Sequence, residues 1–564
     1  MFLPTTKEEL NKLGCKKLDV IIISGDTYID SSYSGAAVIG KVLLDAGYKV
    51  GIIAQPDFKS DKDIKRLGEP ELFWGVTSGC VDSMVANFTA SKKRRRQDDF
   101  TPGGTNNKRP ERAVIIYSNL IRQYFKNTKP IVLGGIEASL RRIAHYDYWE
   151  DKIRRSILFD AKADILVYGM GEKATLEIAQ QLKDGKPFDD IRGICYISKS
   201  TKEGYINLPS FHQVVEDKKK FTEMFHTFYR NNDTVTAKGL CQQHGDRYLI
   251  QNPPAHNLTQ KEIDKIYNLD YERSVHPFYK KDGKVRAMDT IQFSLTTHRG
   301  CYGECNFCAI SVHQGTAITS RSEESIIREA ENIVHDPEFK GYIQDVGGPT
   351  ANMYSTNCDK MLIHGKCVKK DCIFPTTCKN LNNNHRPQIE LLRKLRKIEG
   401  VKKMFVASGI RYDMIIDDKE FGDEYLHELI EHHVSGQLKI APEHTEDKVL
   451  GLMRKQGTRY LTEFKKRFDR INAKKKKEQF LTYYLIAAHP GCDIEDEIRM
   501  KQFVSKELRT NPEQVQIFTP TPSTYSTLMY YTEMNPWTGE KLFVEKNIGG
   551  KEKQKRIVTS KSRL

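Results

Sequence analysis

A chain of 564 residues exceeds one ordinary hydrophobic core, so two or three domains are expected. Hydrophobic residues at 38% and charged residues at 29% fit a globular protein. No apolar run approaches the roughly 18 to 20 residues a membrane span needs, and "MFLPTTKEEL" has no secretory h-region, so a cytoplasmic protein without membrane partners is expected.

The formal net charge of +15 raises polyanions as partners. Its distribution favours solvated surface over a nucleic-acid track. "KKRRR" at 92–96 runs into two aspartates, and "AKKKK" at 473–477 closes a helical pattern, where lysines suit the negative end of the dipole. Twelve cysteines without a signal segment are not a disulfide framework. Seven of them lie between Cys301 and Cys378, which points to metal.

Residues 1–200 alternate strands and helices. "LDVIIISG", "KVGIIAQP", "ELFWGVTS", "KPIVLGGIEAS", "ADILVYGMG" and "RGICYISKS" are near-continuous β-branched runs, as in parallel strands buried on both faces. Helical patterns such as "GAAVIGKVLLDAG" and "RAVIIYSNLIRQYF" separate them, giving a doubly wound α/β domain. "GMGEKA", Gly169 to Ala174, matches G-x-G-x-x-A but puts Glu172 where a phosphate would sit, so it reads as a tight strand-to-helix turn. Residues 201–288 are polar and weakly periodic, a connecting segment.

From 289 to 530 the alternation resumes. "IQFSLTTH", "YIQDVGG", "KKMFVASG", "QLKIAPE", "FLTYYLIAA" and "VQIFTPTP" are strand candidates with helical patterns between them. Six β-α units make a partial TIM-like barrel, whose chemistry belongs to the loops at the C-terminal strand ends. A basic tail, 531–564, reads as partly disordered.

"TTHRGCYGECNFCAI" follows the first of these strands and spaces Cys301, Cys305 and Cys308 as C-x-x-x-C-x-x-C. A structural zinc is usually closed by four ligands. Three soft thiolates can instead hold three irons of a 4Fe-4S cube and leave the fourth open. A zinc knuckle borrowing His313 or a distant cysteine is the alternative, and with it a zinc- or iron-sulfur-containing nucleic-acid-binding protein.

The spacing and its aromatic Phe307 resemble the signature of the radical S-adenosylmethionine (SAM) superfamily. "RGCYGECNFCAISVHQG", "DVGGPTANMY", "SGQLKIAPEHT" and "VQIFTPTPSTYSTLMYYT", with "VLGGIEASLRR" in the first domain, resemble the YgiQ-type radical SAM proteins. The resemblance implies a 4Fe-4S cluster on Cys301, Cys305 and Cys308 with SAM on the open iron. It also implies a reducing partner such as flavodoxin or ferredoxin, and a 5'-deoxyadenosyl radical acting on a substrate the sequence does not name. Gly347 and Gly348 fall where the family's glycine-rich motif meets the SAM amino group, although Pro349 stands at a position that is usually acidic. Ser408 and Arg411 are placed for ribose hydroxyls and the SAM carboxylate, with Glu443 a further polar candidate.

A second group, "CDKMLIHGKCVKKDCIFPTTC", supplies Cys358, Cys367, Cys372 and Cys378 within an insertion at 350–386. So long a connection needs something to order it. Four thiols, with His364 and His385 nearby, could hold zinc or a second 4Fe-4S cluster, and free surface cysteines are the plainer reading. The first domain resembles the cobalamin domains of one radical SAM branch, whose lower-ligand motif is D-x-H-x-x-G. Here "SGDTYIDSSYSG" keeps Asp26 but has Tyr28 for the histidine and Ser31 for the glycine, so cobalamin is not expected.

Overall fold

The computed structural model describes residues 1–512 and 515–560. The chain forms two compact units, one of Met1–Asn257 with Lys265–Gln292, the other of Leu258–Asp264 with the chain from Phe293 onward.

In the first unit, five strands run parallel: β1 (Val20–Ser24), β2 (Val50–Ala54), β3 (Phe73–Thr77), β4 (Ile131–Gly134) and β5 (Ile165–Val167). Their β-branched runs are buried on both faces, as a sheet with helices on each side requires. Helices Gly35–Asp45 and Glu172–Lys183 add Ala37, Leu43, Ala174 and Ile178 to the core made with Val20, Ile22 and Ile52. Gly171 caps the second helix, so "GMGEKA" is the expected turn.

Two expectations change here. β6 (Ile194–Ser198) lies antiparallel to β5, so the sheet is mixed. The segment from 201 does not merely connect: β7 (Ile206–Asn207), β8 (Leu240–His244) and β9 (Arg247–Gln251) extend the sheet to nine strands, in the order β7-β8-β9-β6-β5-β4-β3-β1-β2. β8 and β9 are a hairpin turned by Gly245 and Asp246, with Gly245 at φ 68°.

The parallel-paired strands of the second unit are, in chain order, β10 (Ser294–Thr296), β11 (Tyr342–Ile343 and Asp345–Gly347), β12 (Lys403–Met404), β13 (Gln437–Glu443), β14 (Phe480–Ala487) and β15 (Val515–Ile517). β10 pairs parallel with β11, β11 with β12, β13 with β14, and β14 with β15. A parallel bridge, Ile410 to Ile440, links the segment after β12 to β13. Leu295, Val346, Met404, Ile440 and Leu485 meet Ile326, Leu392, Leu426, Phe464 and Met500 of the intervening helices in one core. The C-terminal strand ends thus come from six successive β-α units.

The tail is more ordered than its composition implies. Helix Ile548–Thr559, capped by Asn547, buries Lys551, Gln554 and Val558 on one face, with Val558 in the second unit's core. The last four positions, 561–564, lie outside the described residues.

Candidate metal centre

The loop carrying Cys301, Cys305 and Cys308 leaves β10 through a short antiparallel ribbon, His298–Arg299 against Thr319–Ser320. It is pinned at both ends. Cys301 N–H donates to Gly315 O at 3.1 Å, and Ser311 Oγ donates to Cys301 O at 2.8 Å. Asn306 donates its N–H to Met453 O at 3.0 Å and its amide to Leu452 O at 2.7 Å, while its carbonyl accepts from Ser526 N–H at 2.9 Å. Phe307 packs on Val449, Met453 and Cys492, so it forms an apolar wall next to Cys308.

The sulfurs meet polar partners. Gly303 N–H lies 3.4 Å from Cys301 Sγ, with Thr350 Oγ1 3.5 Å from the same sulfur. Arg411 Nη1 donates to Cys305 Sγ at 3.3 Å. Burial first, then the neighbouring thiol at 305, pushes the Cys308 thiol well up, and burial raises Cys301 too. Metal binding at Cys301 and Cys308 would therefore have to release their protons. Among the described residues, the three sulfurs do not all lie within 4.8 Å of one another. A single tetrahedral ion would draw thiolates to about 3.8 Å, given metal–sulfur bonds of about 2.3 Å. Three soft sulfur donors in one loop are chemically suited to an iron–sulfur core.

The strand-end residues also make contacts within the protein. Gly347 O accepts from both the N–H and the hydroxyl of Thr297, at 2.7 and 3.1 Å, which occupies its two lone pairs. Gly348 is glycine for a steric reason, because a Cβ there would sit 2.6 Å from the ring of buried His298. The Ser408 hydroxyl and N–H both go to the Asp345 carboxylate, which also accepts from Ala407 N–H. Arg411 forms a two-pronged pair with Asp413, both nearly fully buried. Burial alone would raise Asp413, and the Arg411 guanidinium more than reverses it. Arg411 thus faces the cysteine loop. Glu443, at φ 68° on the end of β13, lies 4.0 Å from Lys455 Nζ; burial raises its carboxyl, and its charge is felt at Cys308.

Cys358, Cys367, Cys372 and Cys378 come together, lining one small cavity with Glu304 and Asp371. The insertion around them is tied down: Cys378 N–H to Cys372 O at 2.8 Å, Gln456 to Ile373 O at 2.7 Å, and Asn383 to Met414 O at 2.9 Å. His385 is not available as a ligand, since Nδ1 pairs with Asp418 at 2.8 Å and Nε2 with the Asn352 amide at 3.0 Å. His364 is exposed at the end of its helix and does not line the cavity.

The sequence reading missed one buried cluster. His444, just beyond β13, and Cys492 and Glu497, beyond β14, bring their ligand atoms within 4.8 Å of one another. Glu446 N–H donates to His444 Nδ1 at 3.0 Å, so the neutral ring carries its proton on Nε2, which faces Cys492 Sγ at 3.4 Å. Cys492 Sγ in turn donates to Glu497 Oε1 at 3.3 Å. Metal-bound histidines normally donate from the second nitrogen, so this tautomer reads as a hydrogen-bonded chain. The only sequence hint was Cys492 following a predicted strand.

In the first unit, the loop after β1 is spent on internal contacts. Asp26 pairs with buried Arg109 at 2.7 Å and accepts from Cys80 N–H at 2.6 Å. Tyr28 is buried, accepts from Leu3 N–H at 3.0 Å and stacks on His276 at 5.4 Å. The "KKRRR" run is mostly exposed and partly self-satisfied, Lys92 bonding Trp149 O and Arg94 pairing with Glu111.

Residues 2–294 match the family described as Radical SAM N-terminal, and residues 295–504 match the Radical SAM superfamily. A UPF0313 protein of Fusobacterium nucleatum subsp. nucleatum is 62% identical over 561 residues, 99% of each chain. One of Thermotoga petrophila is 48% identical over 566 residues, covering 100% of this chain and 99% of its own. Among solved structures, the radical S-adenosylmethionine methyltransferase TsrM from Kitasatospora setae, with cobalamin and a 4Fe-4S cluster bound, is similar at TM-score 0.51 and 14% identity, over 90% of this chain and 76% of that one. The cobalamin-dependent S-adenosylmethionine radical enzyme OxsB, with aqua-cobalamin bound, gives TM-score 0.51 and 14% identity over 93% of this chain and 56% of that one. These likenesses speak to the fold. Both neighbours hold cobalamin, so the expectation that this chain dispenses with it draws no support from them.

Proposed function

We infer the chemistry from one premise: this chain belongs to the radical SAM superfamily, and within it to the UPF0313 family, and is an enzyme of that class. The observation that carries the reading to residues is the pinned loop after β10, with its three thiols and Arg411 turned onto one sulfur. Cys301, Cys305 and Cys308 would hold a 4Fe-4S cluster, which would supply the one electron for cleaving bound SAM to methionine and a 5'-deoxyadenosyl radical.

The chain's own residues do the rest. Phe307 keeps water from the Cys308 side by packing on Val449 and Met453. Arg411 is a positioning residue that steadies Cys305 by charge and hydrogen bond, and Ser408 holds the strand end through Asp345. Gly347 and Gly348 keep the end of β11 free of side chains. Glu443, whose strained backbone and buried carboxyl lie near Cys308, is the proposed polar contact for SAM.

The electron comes from an acidic redox protein of the flavodoxin or ferredoxin kind. The surface that suits it is the insertion, which carries exposed Lys360, Lys369 and Lys370 together with exposed Ile363 and Val368. The proposed compartment is the cytoplasm, whose reducing conditions suit a chain with twelve unpaired cysteines; among the described residues no helix is long and apolar enough to cross a membrane. The reading of a zinc-dependent nucleic-acid binder gains nothing from the exposed, scattered basic runs. In the first unit, Tyr28 faces inward, so any cobalamin held there lacks a histidine from the loop after β1. Desalting after hydroxocobalamin tests this, and retained cobalt with an imidazole-type spectrum overturns it.

For the main reading, anaerobically reconstituted protein with reductant and SAM should release 5'-deoxyadenosine. Cys301→Ala, Cys305→Ala and Cys308→Ala should each abolish it. An undiminished yield in any one of the three sinks the assignment. Comparing metabolites and modified RNA in cells with and without the protein is the route to the substrate.

A further inference from the structure

We propose that Cys358, Cys367, Cys372 and Cys378 are the four protein ligands of a second iron–sulfur cluster, a 4Fe-4S core closed to SAM. The four are spread over some twenty residues of sequence, yet all line one cavity, together with Glu304 and Asp371. Chance surface cysteines have no reason to converge.

The donor set is all thiolate. The one buried histidine of the segment, His385, has both ring nitrogens engaged elsewhere, and His364 does not line the cavity. Four soft sulfurs select zinc or iron–sulfur, and size decides between them. Among the described residues, no three of these sulfurs lie within 4.8 Å of one another. A single zinc ion with bonds of about 2.3 Å would hold all four about 3.8 Å apart. A cube with a cysteine at each corner takes the wider spread.

The surroundings suit a buried anionic core. Four thiolates beside Glu304 and Asp371 need compensating positive charge. It is at hand: Lys360, Lys366 and Lys370 line the same cavity, Lys366 bonds Glu304, and Arg454 pairs with Asp371. Apart from those hydrogen bonds, the segment has little apolar core of its own. Its inward apolar side chains are few, chiefly Met361, Ile373 and Leu381, and they pack with the sulfurs.

The location gives the site its meaning. Tyr302 and Ile373 belong to one apolar cluster that also takes in Cys301 of the first loop and Cys358, Cys372 and Cys378 of the second group. Glu304, between Cys301 and Cys305, reaches into the second cavity. With four cysteines the second core has no open iron, so SAM does not bind it.

The test uses the full chain, reconstituted anaerobically with iron and sulfide, and reads iron, acid-labile sulfide, zinc and the electron paramagnetic resonance of the reduced protein. Wild type should hold roughly eight irons, given four per cluster. The triple variant Cys301→Ser, Cys305→Ser, Cys308→Ser should keep about half, with a signal indifferent to SAM. Replacing Cys358, Cys367, Cys372 and Cys378 by serine should leave the other half, with a signal that SAM shifts. A triple variant without iron, or one carrying a single zinc per chain, overturns the proposal. That arm keeps the second group intact, so it decides even where the quadruple variant misfolds. Failure of the first-loop reading looks different: the triple substitution would then leave the iron count unchanged.

Discussion

Replacing Arg411 by methionine isolates the contact that joins the cysteine loop to the end of the third barrel-type unit. Arg411 is 7% exposed and Asp413 is 3% exposed, and the guanidinium gives Asp413 two N–H donors while sending a third to Cys305 Sγ. Methionine fills much of the same volume but leaves a carboxylate in the core without its partner. Orphaning one member of a buried pair costs about 3–5 kcal/mol. For a unit of this size that lowers its melting temperature by roughly 6–20 °C, at about 2–4 °C per kcal/mol.

The cost has a signature. If it comes from the stranded charge, Arg411→Met with Asp413→Asn should be more stable than Arg411→Met alone by about 2 kcal/mol, because the amide carries only a lost hydrogen bond. Calorimetric melting of the three proteins measures it. If the single and double variants melt together, Asp413 was not held as a buried carboxylate, and the argument for Arg411 as the fixed neighbour of Cys305 fails with it. Arg411→Lys keeps a charge but not the fork, so it should fall between wild type and Arg411→Met.

Gly348→Ala drives a methyl group to 2.6 Å from the buried His298 ring; it should cost about 1–3 kcal/mol by overpacking and weaken the SAM-induced change in the cluster spectrum. An unaltered melt and spectrum would mean that the approach is not tight. Burial first holds the Glu497 carboxyl up, to about 7 against an ordinary 4.5, so the folded state binds the extra proton and stability should fall as pH rises between those values, by about 3 kcal/mol. Glu497→Gln should flatten that part of the profile, and an identical slope in both proteins contradicts the assignment. Val558→Asp, placing a charge in the core under the last helix, should lower the melting temperature of the second unit, whereas a disordered tail would tolerate it unchanged.

What the sequence disclosed is what is local. The spacing of Cys301, Cys305 and Cys308 lies within one loop, and five parallel strands of the first unit are continuous β-branched runs. The β8–β9 hairpin was written more faintly: its strands hold "CQQH" and "RYLIQ", and only the Gly245–Asp246 pair between them signals a turn. The final helix buries Lys551 and Gln554 beside a single valine, so its apolar period barely shows. Composition therefore suggested a loose tail where packing makes a helix.

Side-chain partners are harder to read. Arg411 and Ser408 were expected to face SAM because they end a strand, and strand position was read correctly. Which group each side chain satisfies depends on carboxylates that spacing does not single out: Asp345 lies 63 residues before Ser408, while Asp413, two beyond Arg411, takes two guanidinium N–H bonds. His444 and Cys492 meet across 48 residues for the same reason. A buried polar group must find a partner, and the chain supplies that partner from whichever element packs against it. A motif can thus name the residues that bind a cluster, because their spacing is the binding geometry. The residues that steady those ligands are chosen by the fold, and here Arg411 and Ser408 make contacts to Cys305, Asp413 and Asp345 that the spacing alone did not announce.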